Sequence, residues 1–154
     1  MLPTIVLWLL LAPAGINAAP TTALADCLTS NAVPQLKSTD SKYALAIKPF
    51  NLRLPFTPIA VAQPTTVAQV QAAVACGVAQ NVTVTPKSGG HSYASHGLGG
   101  ENGHLMVDMK YWTNVAVDKT TNIATIGVGS RLGNVAQSLY NQGQRALSHG
   151  TCPG

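Results

Sequence analysis

The feature that most constrains this chain is a strand running into a glycine turn that carries an imidazole. The alternating run Val82-Thr83-Val84-Thr85-Pro86 leads directly into Lys87-Ser88-Gly89-Gly90-His91-Ser92. Such a turn presents several backbone N–H groups on one concave side, and the two glycines, lacking Cβ atoms, let an anion approach closely. A pyrophosphate is the ligand that most needs a nest of this kind. Upstream, Thr66-Val67-Ala68-Gln69 matches a capping box, and Val67, Val70, Val74 and Val78 recur at helical spacing. The spacing predicts an amphipathic helix over 66–80 with its valine stripe packed inward. With strands at 59–62 and 82–85 on either side, this is a βαβ unit ending at the loop, where α/β folds place their ligands.

Further along, 105–108 reads as a buried strand, and 115–117 and 123–128 flank Lys119-Thr120-Thr121-Asn122 as an antiparallel hairpin. Ser130 is placed to cap a helix in which Leu132, Val135, Ala136, Leu139 and Tyr140 share one face. Gly143 ends that helix, and 146–148 begins another short strand. A βαβ unit followed by a mixed sheet and a helix makes the fold class α+β. Residues 19–57 contain Pro34, Pro49 and Pro55, which break any long periodicity. They read as a leader crossing the domain surface, with a short helix at 24–28.

At 154 residues the chain amounts to about one domain. Its 46% hydrophobic content is ample for a core and far from a disordered composition. The nine Lys and Arg behind the net charge of +4 are scattered, so the composition argues against a nucleic-acid partner. The apolar run at 5–11 is too short for a bilayer, which takes about 20 residues. Followed by Pro13, Gly15 and small residues, it fits a signal peptide cleaved after Ala18, although no Lys or Arg precedes it. Secretion is the expectation, with no membrane partner. Asn81-Val82-Thr83 is a glycosylation sequon, but its place at the entry of an inner strand argues against occupancy.

Three cysteines in a secreted chain leave one odd thiol. Cys27 with Cys76, or Cys76 with Cys152, would each make a disulfide, and spacing alone leaves both pairings open. Cys152 stands in Gly150-Thr151-Cys152-Pro153-Gly154, where the small residues before it let backbone approach a flat ring edge. Taken singly, His91 reads as an ordinary loop histidine, whereas a merely buried or disulfide-bonded role is the lesser reading of Cys152 on its position alone. Metal binding by His91, His96, His104, His149 and Cys152 is the rival chemistry. His91 and His96 stand five apart in a glycine-rich loop with no carboxylate or Cys-x-x-Cys pairing beside them, so no metal site is assigned. Arg131 either serves a phosphate or opens the second helix with its charge outward, the latter being the simpler reading. Tyr93 and Ser95 either touch a ligand or cap the loop.

The Lys-Ser-Gly-Gly-His-Ser-Tyr run and the Gly-Thr-Cys-Pro-Gly run together resemble the berberine-bridge-enzyme-like branch of the vanillyl-alcohol-oxidase flavoproteins, and within it the fungal gluco- and chitooligosaccharide oxidases. Gly99-Gly100-Glu101-Asn102-Gly103-His104-Leu105, Arg131-Leu132-Gly133 and Ala146-Leu147-Ser148-His149 extend the likeness over about residues 58–154. The resemblance implies a PCMH-type FAD-binding domain of which this chain is the N-terminal part. It further implies covalent attachment of one FAD at two points, through His91 to the 8α methyl and through Cys152 to ring carbon 6. Lys87, Ser88, Gly89, Gly90, Ser92, Ser95, Gly150 and Thr151 become cofactor-binding candidates. The Cys27–Cys76 pairing is likewise what the resemblance implies. Where many relatives carry Arg, Lys87 keeps the charge and loses the planar fork.

By the same resemblance, the whole enzyme oxidises the anomeric C1–OH of an oligosaccharide to a lactone and reduces O2 to hydrogen peroxide. The family's catalytic base and sugar-binding sheet lie beyond the matched region, so no catalytic residue is assigned and the chain alone is expected to be inactive. The alternatives are a berberine-bridge-like alcohol or alkaloid oxidase, and a non-catalytic secreted domain that binds flavin or metal. The signal-peptide reading is directly testable. The secreted protein is expected to begin at Ala19 by N-terminal sequencing and intact mass, and a secreted chain retaining Met1 would overturn it.

Overall fold

A computed structural model describes residues 20–152 and 154; the expected signal peptide at 1–18 lies outside the described residues. Helix α1 (Pro20–Ser30) places Leu24 and Leu28 one turn apart, and both are fully buried. Ala32, at a φ of 52°, turns the chain so that Val33 also enters the core. The short strand β1 (Gln35–Leu36) and the one-turn helix α2 (Tyr43–Ala46) follow. The segment read as a surface leader is therefore built into the fold. Its apolar residues recur too irregularly to announce this, and the burial comes from contacts with helix α3 (Val67–Ala79) and the sheet.

Strands β2 (Ala60–Ala62), β3 (Val84–Lys87) and β4 (Leu105–Asp108) form a sheet with β1 in the order β1-β2-β4-β3. The β2-α3-β3 crossover therefore spans β4, which pairs parallel with both neighbours, while β1 adds antiparallel at the edge. As an inner strand, β4 is buried on both faces. Its alternate residues feed two cores. Leu105 and Val107 join Leu24, Leu28 and Ala73, whereas Met106 meets Tyr43, Val61 and Leu98 on the opposite side.

Helix α3 (Val67–Ala79) begins where the capping pattern places it. Thr66 Oγ1 accepts from the Gln69 N–H at 3.2 Å, and Gln69 Oε1 accepts from the Thr65 N–H at 2.8 Å, one residue earlier than in the standard box. The inward face is not the valine stripe. Val78 is 73% exposed and Val67 and Val74 are also exposed, while Ala73, Cys76 and Gly77 are buried. The small residues win because the helix lies very close to the sheet. A Cβ at Gly77 would stand 2.2 Å from Val84 Cγ2 and 3.1 Å from the Val82 carbonyl. On this face Cys76 bonds to Cys27 of α1, with 5.8 Å between their Cα atoms, which settles the pairing left open above.

A 3₁₀ turn (His96–Leu98) leads toward β4, and β5 (Val115–Asp118) with β6 (Ile123–Ile126) forms the expected hairpin. Helix α4 (Leu132–Gly143) closes on β5 through Gln142, whose side chain accepts from the Val117 N–H at 3.0 Å and donates to the Val115 carbonyl at 2.9 Å. Three expectations fail here. Arg131, not Ser130, stands at the N-cap and supplies no side-chain cap; Ser130 lies one residue too early to reach the first turn. Tyr140 is exposed while Val135 and Leu139 carry the buried face, because the helix offers only a narrow stripe to the hairpin. Residues 146–148 form no strand, since nothing among the described residues pairs with them.

Two stability tests follow from α3. In an open helix Gly→Ala gains about 1 kcal/mol. Here Gly77→Ala is expected to destabilise by about 1–3 kcal/mol through overpacking against Val84, read as a lower thermal midpoint. The Cys27–Cys76 bridge spans 49 residues of sequence. Replacing both cysteines by alanine is expected to cost about 4 kcal/mol in denaturant unfolding, and an unchanged midpoint would refute the constraint.

Candidate functional site

The β3 strand ends at Lys87, and the loop that leaves it is shaped around that side chain. Lys87 Nζ donates to the Ala46 carbonyl at 3.0 Å and lies 3.9 Å from the buried Asp108 carboxylate at the end of β4. Its methylene stem runs beneath the loop, so a Cβ at Gly90 would sit 3.0 Å from Lys87 Cε. Gly90 also holds a φ of +77°, which disfavours any other residue. Lys87 thus supports the loop from below and does not face the cleft that His91 lines.

That cleft has a volume of about 370 Å³, within the range of small-molecule sites. His91, Gly89 and Ser88 line it from the loop, and Gly150, Thr151 and Cys152 line it from the end of the described chain. The two runs singled out in the sequence are thus brought together although about 60 residues separate them. Gly90 and Ser95 instead border a small cavity behind the loop. Ser95 is buried at a φ of 55°, and Ser92 Oγ accepts from the His96 N–H at 3.2 Å, so these two serines shape the turn. Tyr93 is largely exposed at the cleft margin. Asn81 is exposed, in the turn after α3 at a φ of 52°, and β3, which follows it, is the last strand of the sheet among the described residues.

Several features of the cleft suit an anionic, flat, partly polar ligand. The backbone N–H groups of Gly89, Gly90 and His91 donate to nothing among the described residues. Arg131 does not point its charge away, as its place before a helix suggests. Its Nη1 donates to the Gly89 carbonyl at 2.8 Å and its side chain lines the cleft. A Cβ at Gly89 would come within 3.3 Å of that guanidinium, so a larger residue would have to shift the arginine's end slightly. Ser130, misread as a cap, lies on the cleft wall with its hydroxyl buried and, among the described residues, without a partner. Phe50 and Leu132 add apolar surface.

The imidazole of His91 makes no hydrogen bond among the described residues. It stacks on Phe50 with ring centroids 4.6 Å apart and planes at 21°. Cys152 is a free, exposed thiol. Phe50 escaped the sequence reading entirely: it lies in the proline-interrupted segment, and nothing local connects it to His91. His104, by contrast, is drawn away from the cleft, bonded to Thr85 Oγ1 at 2.8 Å and Glu101 at 2.9 Å. Among the described residues, no three His, Cys, Asp or Glu side chains gather as metal ligands.

Comparison with known proteins agrees with this arrangement. Residues 58–153 match the family described as FAD binding domain. The chitooligosaccharide oxidase of Gibberella zeae is 52% identical over 134 residues, which are 86% of this chain and 27% of that protein. A xylooligosaccharide oxidase from Myceliophthora thermophila, solved in complex with xylobiose, superposes with a TM-score of 0.83 at 50% identity, covering 85% of this chain and 28% of its own. A glucooligosaccharide oxidase from Acremonium strictum, whose FAD is 6-S-cysteinyl and 8α-N1-histidyl, superposes with a TM-score of 0.82 at 42% identity, covering 85% and 27%. The chain thus spans little more than a quarter of these relatives' length. With the strand–loop cradle, the paired His and Cys and the match over 58–153 all in agreement, the chain belongs to the FAD binding domain family.

Proposed function

We propose that this chain is the flavin-anchoring portion of a secreted oxidase of oligosaccharides, with His91 and Cys152 as the two covalent tethers of one FAD. The observation that carries the reading is the meeting of these two side chains on one cleft. The unpaired amides of Gly89, Gly90 and His91, with the Arg131 guanidinium, suit a pyrophosphate. Phe50 and Leu132 suit a flat ring. His91 bonds through a ring nitrogen lone pair and Cys152 through its thiolate, so both must be free of competing partners. Both are free in the geometry above.

The bound FAD would supply the hydride acceptor for the sugar's anomeric carbon and return two electrons to O2. The residues of this chain contribute position: they hold the ring at two points and neutralise its phosphates. The C1–OH gives up a hydride and a proton to become a lactone, and O2 takes two electrons and two protons to become hydrogen peroxide. A base must take the hydroxyl proton, and that role is assigned to no residue here. Support for the sugar class comes from relatives at about 50% identity that are oligosaccharide oxidases. No specific observation favours the alkaloid or metal-binding alternatives.

Secretion belongs to the same proposal. The Cys27–Cys76 bridge supports an oxidising compartment, and the exposed Asn81 leaves its sequon open to glycan transfer there. No helix among the described residues is long and apolar enough to cross a membrane.

The tether assignment is tested in the full-length protein by intact mass after denaturation. His91→Ala and Cys152→Ala are each expected to keep the added mass of one FAD through the remaining bond, and the double variant to lose it. A double variant that still carries flavin covalently would overturn the assignment.

A further inference from the structure

We infer that Phe50 is the positioning residue that aims His91 for bond formation, an inference resting on the reading of His91 as a flavin tether. A ring nitrogen's lone pair lies in the plane of the imidazole, so the orientation of that plane decides what the nitrogen can attack. The His91 ring forms no hydrogen bond among the described residues, and its aromatic contact is the near-parallel stack on Phe50, at 4.6 Å and 21°. Stacking fixes the plane while leaving both nitrogens at the open edge.

Phe50 is itself held in place. Its ring meets Tyr93 edge-on at 5.4 Å, with the planes at 85°. The next residue, Asn51, donates to the Tyr93 carbonyl through Nδ2 at 2.8 Å. Four residues earlier, the Ala46 carbonyl accepts from Lys87 at 3.0 Å. The segment carrying Phe50 is thus pinned on both sides to the His91 loop, by one bond before it and one after. Phe50 remains 45% exposed. A phenyl ring nearly half in solvent adds little to the core, so its placement serves the loop.

The bond concerned joins a His91 ring nitrogen to the 8α carbon of the flavin. One proton leaves the methyl group and one leaves the nitrogen, and the two electrons released reduce the ring, which O2 then reoxidises to give hydrogen peroxide. Phe50 takes no part in this transfer; it limits the orientations from which it starts.

The test isolates each tether in the full-length apoprotein, incubated with FAD and followed by intact mass after denaturation. In the Cys152→Ala background only His91 can bond, and adding Phe50→Ala is expected to slow covalent incorporation by about tenfold, the size set by one aromatic pair. Phe50→Tyr, which keeps the stack, should restore it. In the His91→Ala background, where only Cys152 can bond, Phe50→Ala loses only apolar cleft surface and should slow incorporation far less than in the first. Equal slowing in both backgrounds, or no slowing in the first, would overturn the inference. If the Cys152→Ala protein with Phe50 intact takes up no covalent flavin, the reading of His91 as a tether fails, and this inference falls with it.

Discussion

Lys87 is the residue on which the site's geometry depends. Its stem passes under Gly90, and its ammonium reaches the Ala46 carbonyl and the Asp108 carboxylate. Three segments distant in sequence, at 46, 90 and 108, therefore share one side chain. The Asp108 side chain is almost wholly buried, so losing the cation would strand a charge in the interior, which costs more than the intact pair contributes. A lysine suits the task, since its flexible stem passes beneath the glycine turn and ends in a single point charge.

From this support the site is assembled in layers. The parallel β3–β4 pair brings the loop to the end of the sheet. The loop leaves amides unpaired and turns His91 to the cleft, while Arg131, at the start of α4, ties back to Gly89. Phe50 arrives from a segment that precedes the first parallel strand. Two faces of one sheet thus have different duties. The α1 and α3 face is a dry core closed by a disulfide, and the opposite face supports the segment that covers the loop.

Much of the fold was legible in local patterns, because those patterns report interactions that are themselves local. The Thr66 cap, the hairpin from Val115 to Ile126 and the end of α4 near Gly143 depend on neighbours within a few residues. The orientation of α3 was not legible for the same reason. Valines at 67, 70, 74 and 78 share a face, and so do Ala73, Cys76 and Gly77; periodicity says which residues align and not which way the face looks. The close approach of Gly77 to Val84 decided it. Ser130 illustrates a further confusion, since a serine before a helix looks like a cap even when it stands one residue too early to be one.

By itself the sequence determined the chemistry on offer: a glycine turn bearing an imidazole, a thiol among small residues, and a resemblance that linked the two. Those are properties of residue types and short spacings, and they survive without coordinates. The tertiary structure alone decided that His91 and Cys152 face one cleft, that Arg131 bonds back to Gly89, and that Phe50 lies on the His91 ring. Each of these depends on how long segments return to one another across the sheet. Such returns follow from the packing of the whole core, and no short window of sequence records them.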